Sequence, residues 1–206
     1  MNHQHPLTEL YVVGPSSTGK TTLCNAVAKS LKLQSWCYIT EVARQVMKRQ
    51  GFTREDVGKM EMQSAIMLAQ LEREAEACER ARNTGETLIL SDRSGIDPIV
   101  YAVLTAKGER QAQQKKNLLI EHPTFQSALE RYRKAKFLLL RPVPEWLVDD
   151  GIRSLEQHTP SFCVYRAVLA ELGISYHEIG EDMKDLAERT NWVKEWVTMG
   201  LAHSNL

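Results

Sequence analysis

The sequence predicts an α/β fold in which a parallel sheet of about five strands carries helices on both faces. Short apolar, β-rich runs alternate with helical segments along the chain, as they do in parallel sheets whose crossovers are helices. Each run is short and apolar, which is typical of strands covered on both sides. The predicted strands are residues 10–13, 36–39, 87–91, 136–140 and 174–179.

Helical periodicity fills the intervals between several of these strands. Helices are predicted at residues 19–31, 41–49 and 182–198, and Arg166 falls inside a further helix. A long helix ends at residues 83–85, and Thr53 and Asp56 have the spacing of a capping box shortly before it. Its apolar stripe at steps of three and four residues consists of Ala65, Leu68, Leu71, Ala75 and Cys78.

Composition excludes several classes of protein. The 206 residues contain 26 Lys and Arg against 26 Asp and Glu, so no net field favours duplex nucleic acid. The longest apolar runs are far too short to span a bilayer. Four cysteines without close spacing predict reduced thiols, and the first six residues lack the features of a signal peptide. We expect a cytoplasmic protein with one domain, residues 1–206, and a core at about 10–196.

Charge is nevertheless uneven along the chain. Residues 107–136 contain eight Lys or Arg against three Asp or Glu, whereas residues 137–206 contain six against eleven. A solvated helical face explains the basic segment, and a docking site for an acidic partner or an anionic substrate is the alternative. The sequence identifies no protein partner.

A glycine-rich motif carries the strongest chemical signal. It fits G-x-x-x-x-G-K-[ST] between a predicted strand and a predicted helix, which is the context that a phosphate-binding loop requires. Its glycines let backbone N–H groups surround phosphate, while Lys20 supplies a mobile charge and the Thr21 hydroxyl a ligand for Mg²⁺. We therefore predict binding of a nucleoside triphosphate by Gly14, Pro15, Ser16, Ser17, Thr18, Gly19, Lys20, Thr21 and Thr22.

Asp92 and Arg93 leave the carboxyl end of the third predicted strand. A carboxylate beside the phosphate loop can hold Mg²⁺ or accept a proton from a hydroxyl group, and an adjacent arginine can hold an acceptor. An aspartate that caps a helix, followed by a surface arginine, would give the same dipeptide.

Two further segments combine carboxylates with an arginine. Glu41 and Arg44 follow the second strand, where they either contact a substrate or pair with each other. Arg153 follows Asp149, Asp150 and Gly151 in a glycine-containing turn. That turn suits a lid that brings a cation onto a transferring phosphoryl group, and a loop with a solvated salt bridge is the alternative.

These four features, in this order, resemble the P-loop family that groups the nicotinamide riboside kinase domain of NadR with related eukaryotic, especially fungal, AAA-type domains. The resemblance extends from about residue 10 to residue 196. It implies a three-layer, kinase-type P-loop fold with a short lid at about residues 142–160. It also implies ATP, Mg²⁺ and a small hydroxylated acceptor such as a nucleoside.

The resemblance also implies roles for individual residues. Lys20 and Thr21 would serve the triphosphate, Asp92 would be the metal or base carboxylate, and Arg153 would be the lid arginine. Thr21 and Asp92 would be the metal ligands, and Lys20, Asp92 and Arg153 the catalytic residues. The acceptor would lie against Glu41, Arg44, Arg93 and Asp97.

Two functions therefore compete. The first is a Mg²⁺-dependent phosphotransferase that uses ATP and acts on a small acceptor, a nucleoside or a nucleotide. The second is a nucleotide-binding switch that hydrolyses ATP or GTP slowly and engages a protein or membrane partner. The sequence lacks the Asn-Lys-x-Asp tetrapeptide that usually accompanies guanine specificity, which favours ATP.

Overall fold

A computed structural model describes residues 7–146 and 158–202. Five parallel strands form one sheet in the order β2-β3-β1-β4-β5, which confirms the predicted fold class. The strands are β1 Thr8–Val13, β2 Tyr38–Ile39, β3 Leu88–Asp92, β4 Lys136–Leu140 and β5 Tyr176–Ile179. The strand that precedes the phosphate loop, β1, therefore lies at the centre of the sheet.

Eight α-helices surround the sheet within the described residues. They are α1 Lys20–Ser30, α2 Val42–Gln50, α3 Met60–Thr84, α4 Ile96–Leu104, α5 Glu109–Ile120, α6 Pro123–Tyr132, α7 His158–Glu171 and α8 Leu186–Ala202. Short 3-10 helices occupy Ser35–Cys37, Arg54–Gly58 and Pro144–Trp146. In this part of the chain, no helix is sufficiently long and apolar to cross a membrane.

Strand periodicity divides the core into two layers. Leu10 and Val12 of β1 pack against α1 and α8, whereas Tyr11 and Val13 point to the opposite face. There they meet apolar side chains of α3, α4, α6 and α7. Because successive side chains of a strand alternate between faces, one apolar strand supplies both layers. The fold therefore has three layers, with the sheet between two layers of helices.

Several local predictions need correction. Trp36 and Cys37 lie in a 3-10 helix, so β2 is shorter than predicted. The Thr53–Asp56 capping box forms, but it caps the separate 3-10 helix and not α3. Ala75 is exposed, because the buried face of α3 is displaced by one position and includes Glu74. The predicted pattern also assigned no element to the segment that contains α4, α5 and α6.

Gly14 joins β1 to the phosphate loop at a point where no side chain fits. Its φ is 139°, and a Cβ atom there would lie 2.6 Å from the carbonyl oxygen of Leu140 at the end of β4. Contacts that short to backbone require the neighbouring strand to move. The loop therefore packs directly against the adjacent strand.

We expect Gly14→Ala to lower the free energy of unfolding by about 3 kcal/mol or more, because positive φ and overpacking act together. Gly85→Ala is the matched control. Gly85 also has a positive φ, 77°, but a Cβ atom there would meet nothing within 4 Å. Urea denaturation of both variants separates the two effects, and equal losses would show that the contact with Leu140 is unimportant.

Candidate active site

A cavity of about 1030 Å³ lies at the carboxyl ends of the strands, around the phosphate loop. Ligands of open α/β sheets occupy this position, because helix N-termini and loops converge there. Side chains from the chain segments after β2 and β3 line one flank, and residues that follow β4 and β5 line the other. The phosphate loop after β1 lies between the two flanks.

Lys20, the first residue of α1, lies inside the phosphate loop. Its Nζ atom donates hydrogen bonds to the carbonyl oxygen of Pro15 and to Thr18 Oγ1. Only 5% of Lys20 is exposed, so the side chain is buried within the loop. Burial, assisted by the charge of Arg93, lowers the pKa of Lys20 to about 7. The loop thus encloses the side chain of its own lysine.

Asp92 ends β3 beside the start of α1. Its Oδ2 atom accepts a hydrogen bond of 2.5 Å from Thr21 Oγ1, and its Oδ1 atom is buried with no partner among the described residues. A buried carboxylate oxygen without a partner is costly unless a ligand satisfies it. Hydroxyl and carboxylate oxygens are ligands that Mg²⁺ accepts, so the pair fits this ion.

Asp97 at the start of α4 holds the turn that follows Asp92. Its carboxylate accepts hydrogen bonds from Ser94 N at 2.9 Å and from Tyr165 Oη at 2.7 Å, and it pairs with Arg93 Nη1 at 2.8 Å. Three residues therefore fix the Asp97 carboxylate. Arg93, Ser94 and Asp97 all line the cavity, and 30% of the Arg93 side chain is exposed.

Glu41 and Arg44 both line the cavity beyond β2. Arg44 Nη1 donates to both carboxylate oxygens of Glu41, at 2.9 and 3.1 Å, and the pair is exposed. Of the two alternatives from the sequence, the structure therefore shows the ion pair between Glu41 and Arg44. The pair lines the cavity, so a substrate could also contact it.

Backbone strain is concentrated at the cavity. Four described residues other than glycine have positive φ angles, and three of them line the cavity: Ser17 at 57°, Glu41 at 63° and Arg93 at 84°. Such conformations cost of the order of 1 kcal/mol or more and persist where surrounding contacts enforce them. The three residues lie on the phosphate loop and on the β2–β3 flank.

The β4–β5 flank contains residues that sequence analysis missed. The Trp146 ring lies 4.5 Å below the guanidinium of Arg189 and would be 3.5 Å from a Cβ atom on Gly19. Arg189 is buried and donates to the carbonyl oxygens of Gly180 and Met183, and burial lowers its pKa. Nothing in the local pattern of α8 distinguishes this arginine from a surface residue.

Other missed residues lie on the β2–β3 flank. They are Arg54, Gln63, Gln70 and Tyr101. Gln63 and Gln70 lie seven residues apart on the buried face of α3, so polar positions at helical spacing within an apolar stripe were the available signal. Gln70 Nε2 donates to Glu74 Oε1 and to Ser91 Oγ, both at 3.0 Å.

A buried polar network extends from Glu74 to the turn after Asp92. Glu74 Oε2 accepts a hydrogen bond of 2.8 Å from Tyr132 Oη, which itself accepts one of 2.8 Å from Gly95 N. Arg131 pairs with the same carboxylate at 3.2 Å. Burial raises the pKa of Glu74 to about 7, against the charge of Arg131. Tyr132 thereby connects α3 and α6 to the turn that presents Arg93.

We expect Tyr132→Phe to lower the free energy of unfolding by about 1–3 kcal/mol, since Gly95 N and Glu74 both lose a buried partner. Tyr38→Phe is the control, because Tyr38 Oη makes an exposed hydrogen bond of 3.0 Å to Asn25. Urea denaturation measures both variants. A loss no greater than that of the control would contradict the proposed importance of the network.

Two predicted features have separate outcomes. Arg153 lies outside the described residues, as does most of the predicted lid, residues 142–160. In the basic segment, residues 107–136, most charged side chains make contacts within the chain, among them Lys115, Lys116, Arg131, Arg133 and Lys136.

Thr22, which the sequence assigned to the phosphate loop, also lines the cavity next to Thr21.

Comparisons with known proteins agree with this geometry. A protein-family model described as an AAA domain matches residues 9–198. A solved structure of NadR with NAD and AMP-PNP superposes with a TM-score of 0.72 at 20% identity, and NadR with NR gives 0.71 at 22%. Deoxyadenosine kinase from M. mycoides with bound dCTP gives 0.62 at 12%. No curated protein sequence matches the chain.

The extent of these likenesses differs. The matches cover 95% of this chain but only 51% and 53% of the NadR chains, so this chain spans about half their length. The deoxyadenosine kinase match covers 93% of this chain and 100% of that one. At these identities the likeness concerns the fold, which is that of P-loop kinases.

Proposed function

Because the chain belongs to the AAA-domain family that matches residues 9–198, we propose that it is an ATP-dependent small-molecule kinase. The observation that carries the proposal is the pairing of Thr21 with Asp92 beside the enclosed Lys20. A phosphate loop and a carboxylate with one unsatisfied oxygen supply what phosphoryl transfer needs, which is position and charge neutralisation.

The order of the strands supports separate places for donor and acceptor. The phosphate loop follows the central strand β1, so a triphosphate bound there has one flank of the cavity on each side. The β4–β5 flank offers the Trp146 ring and Arg189, which suit a nucleobase. The β2–β3 flank offers Glu41, Arg44 and Arg93, and we assign the acceptor to it.

The proposed reaction is a single in-line transfer. An acceptor oxygen forms a bond to the γ-phosphorus of ATP while the bond to the β–γ bridging oxygen breaks, and ADP leaves with that electron pair. When the acceptor is a hydroxyl group, its proton passes to Asp92 or to water. Lys20 neutralises charge on the β- and γ-phosphates, and Arg93 holds the acceptor in place.

Thr21 and Asp92 are the residues that would hold Mg²⁺. When bound, the ion would neutralise charge on the phosphate oxygens. We further propose that Arg153 is a lid arginine that contacts the transferring phosphoryl group, and that Asp97 acts on the acceptor by fixing Arg93. The chain is also proposed to form a single catalytic domain that works in the cytoplasm. A specific similarity to fungal members of the family is likewise a prediction.

The test is a panel of nucleosides, nucleotides and sugars incubated with γ-labelled ATP and Mg²⁺. We expect label to appear in at least one small-molecule product. Slow release of labelled phosphate with every compound, and no labelled product, would replace the kinase proposal by the alternative of a nucleotide-dependent switch with slow hydrolysis.

A further inference from the structure

Arg54 is the first residue of the 3-10 helix Arg54–Gly58 and lines the β2–β3 flank of the cavity. Its side chain forms no hydrogen bond or ion pair with any other residue in the described ranges 7–146 and 158–202. We propose that Arg54 binds an anionic phosphomonoester group on the acceptor. This inference rests on the proposed kinase function and specifies the class of its second substrate.

The charges that line the cavity leave a surplus for such a group. Within the described residues, six cationic side chains face three carboxylates, so the lining has a formal charge of +3. The cations are Lys20, Arg44, Arg54, Arg93, Lys184 and Arg189, and the carboxylates are Glu41, Asp92 and Asp97. Lys184 pairs with Glu145, which does not line the cavity, so the unbalanced charge is about +2. A cavity of positive net charge favours substrates that carry anionic groups.

Contacts within the chain distinguish Arg54 from the other cations of the lining. The other five cations are engaged by the chain itself: Lys20 by Pro15 and Thr18, Arg44 by Glu41, Arg93 by Asp97, Lys184 by Glu145 and Arg189 by backbone carbonyl groups. An arginine whose donors are all available offers a planar fork to phosphate oxygens. Arg54 thus differs from the remaining cations of the same cavity.

The backbone that presents Arg54 is held on both sides. Before it, Thr53 N and Thr53 Oγ1 donate to Asp56 Oδ2 at 2.7 and 3.0 Å. After it, Val57 O accepts from Gln63 Nε2 at 2.7 Å, and Gly58 O accepts from Lys115 Nζ at 2.8 Å. A fixed backbone reduces the entropy lost when the side chain binds a ligand. The turn therefore fixes the backbone from which the Arg54 side chain extends.

Apolar side chains line the cavity together with Arg54. They are Val42, Met47, Val57, Met62 and Ile66. A wall of this kind accommodates a flat or apolar body, with the charged group at one end. Nucleoside monophosphates combine these properties, whereas sugar phosphates share only the phosphate. The common chemistry is the phosphomonoester.

The experiment measures binding to the full chain loaded with Mg²⁺ and a non-hydrolysable ATP analogue, so that the donor site is filled. Calorimetry compares each common nucleoside with its 5′-monophosphate, and ribose with ribose 5-phosphate. Arg54→Gln is the test variant. Arg49→Gln is the matched control, because Arg49 is an exposed arginine on the neighbouring helix α2 and does not line the cavity.

We expect at least one 5′-monophosphate to bind at least tenfold more tightly than its nucleoside. Arg54→Gln should remove that advantage and leave the affinities of the nucleoside and the ATP analogue unchanged, while Arg49→Gln should change none of them. An advantage for ribose 5-phosphate of the same size would identify the phosphate alone as the recognised group.

Three results would overturn the inference. The first is that no phosphomonoester binds, and the second is that each phosphomonoester binds with the same affinity as its unphosphorylated partner. The third is that Arg54→Gln lowers the affinities of both members of a pair equally. The proposed function fails separately. If monophosphates bind through Arg54 but no compound yields a labelled product, the kinase proposal alone is refuted. If a nucleoside is phosphorylated but its 5′-monophosphate does not bind as an acceptor, only the inference is refuted.

Discussion

Lys20→Met lowers turnover by at least about a thousandfold and abolishes tight ATP binding, if Lys20 neutralises the β- and γ-phosphates. Methionine is the informative substitution because Lys20 is buried, and a residue of similar length retains its packing. The measurements are steady-state turnover and a calorimetric ATP titration, with circular dichroism to establish folding. Lys29→Met, at the exposed end of the same helix, should behave like the unmodified protein.

The same lysine predicts a dependence of ATP binding on pH. Burial lowers its pKa to about 7, so the amine is largely neutral above that pH. Phosphate favours the charged form and raises the pKa, so binding takes up a proton and affinity falls as pH rises above about 7. Calorimetry in two buffers of different ionisation enthalpy measures this uptake. Lys20→Met should lose it, and an unchanged uptake would contradict the assignment.

Asp92→Asn is expected to lower turnover by at least about a hundredfold and to leave Mg²⁺-free ATP binding unchanged. The amide oxygen can still accept a hydrogen bond from Thr21, but the buried Oδ1 position loses its charge. Titration of turnover against Mg²⁺ should show that the variant needs far more of the ion.

The control for this variant is Asp182→Asn. Asp182 follows β5 at the same edge of the sheet and pairs with Arg141, outside the cavity lining. Turnover and its dependence on Mg²⁺ should be unchanged in Asp182→Asn. If Asp92→Asn also retains both, Asp92 only terminates β3 and supports Thr21.

The sheet could be predicted because its strands are buried on both faces. Lys136–Leu140 has the predicted bounds, since a covered strand is a continuous apolar run. Ile96–Leu104 escaped prediction because α4 is apolar apart from Asp97 and Tyr101, so it lacks the polar face that marks an amphipathic helix. The offset of the buried face of α3 follows from Glu74 and Gln70, whose burial depends on partners in other elements.

The candidate site was predictable only where local sequence determines geometry. The phosphate loop is such a case, because its spacing encodes its own backbone conformation. Arg54, Trp146 and Arg189 come from three distant segments and meet at the cavity only after the sheet has formed. The role of Asp92 is a prediction that Asp92→Asn tests, and the roles of Arg93 and Arg153 stay predictions.

The position of Trp146 has a spectroscopic consequence. Its indole lies between Gly19 of the phosphate loop and the Arg189 guanidinium, whereas Trp36 stacks with Arg80, and Trp192 and Trp196 pack together beside His177. Within the described residues, Trp146 is thus the indole in the cavity lining. Nucleotide entry should change the emission of this ring alone, so a protein that retains only Trp146 would report donor binding optically, without turnover and before any acceptor is known.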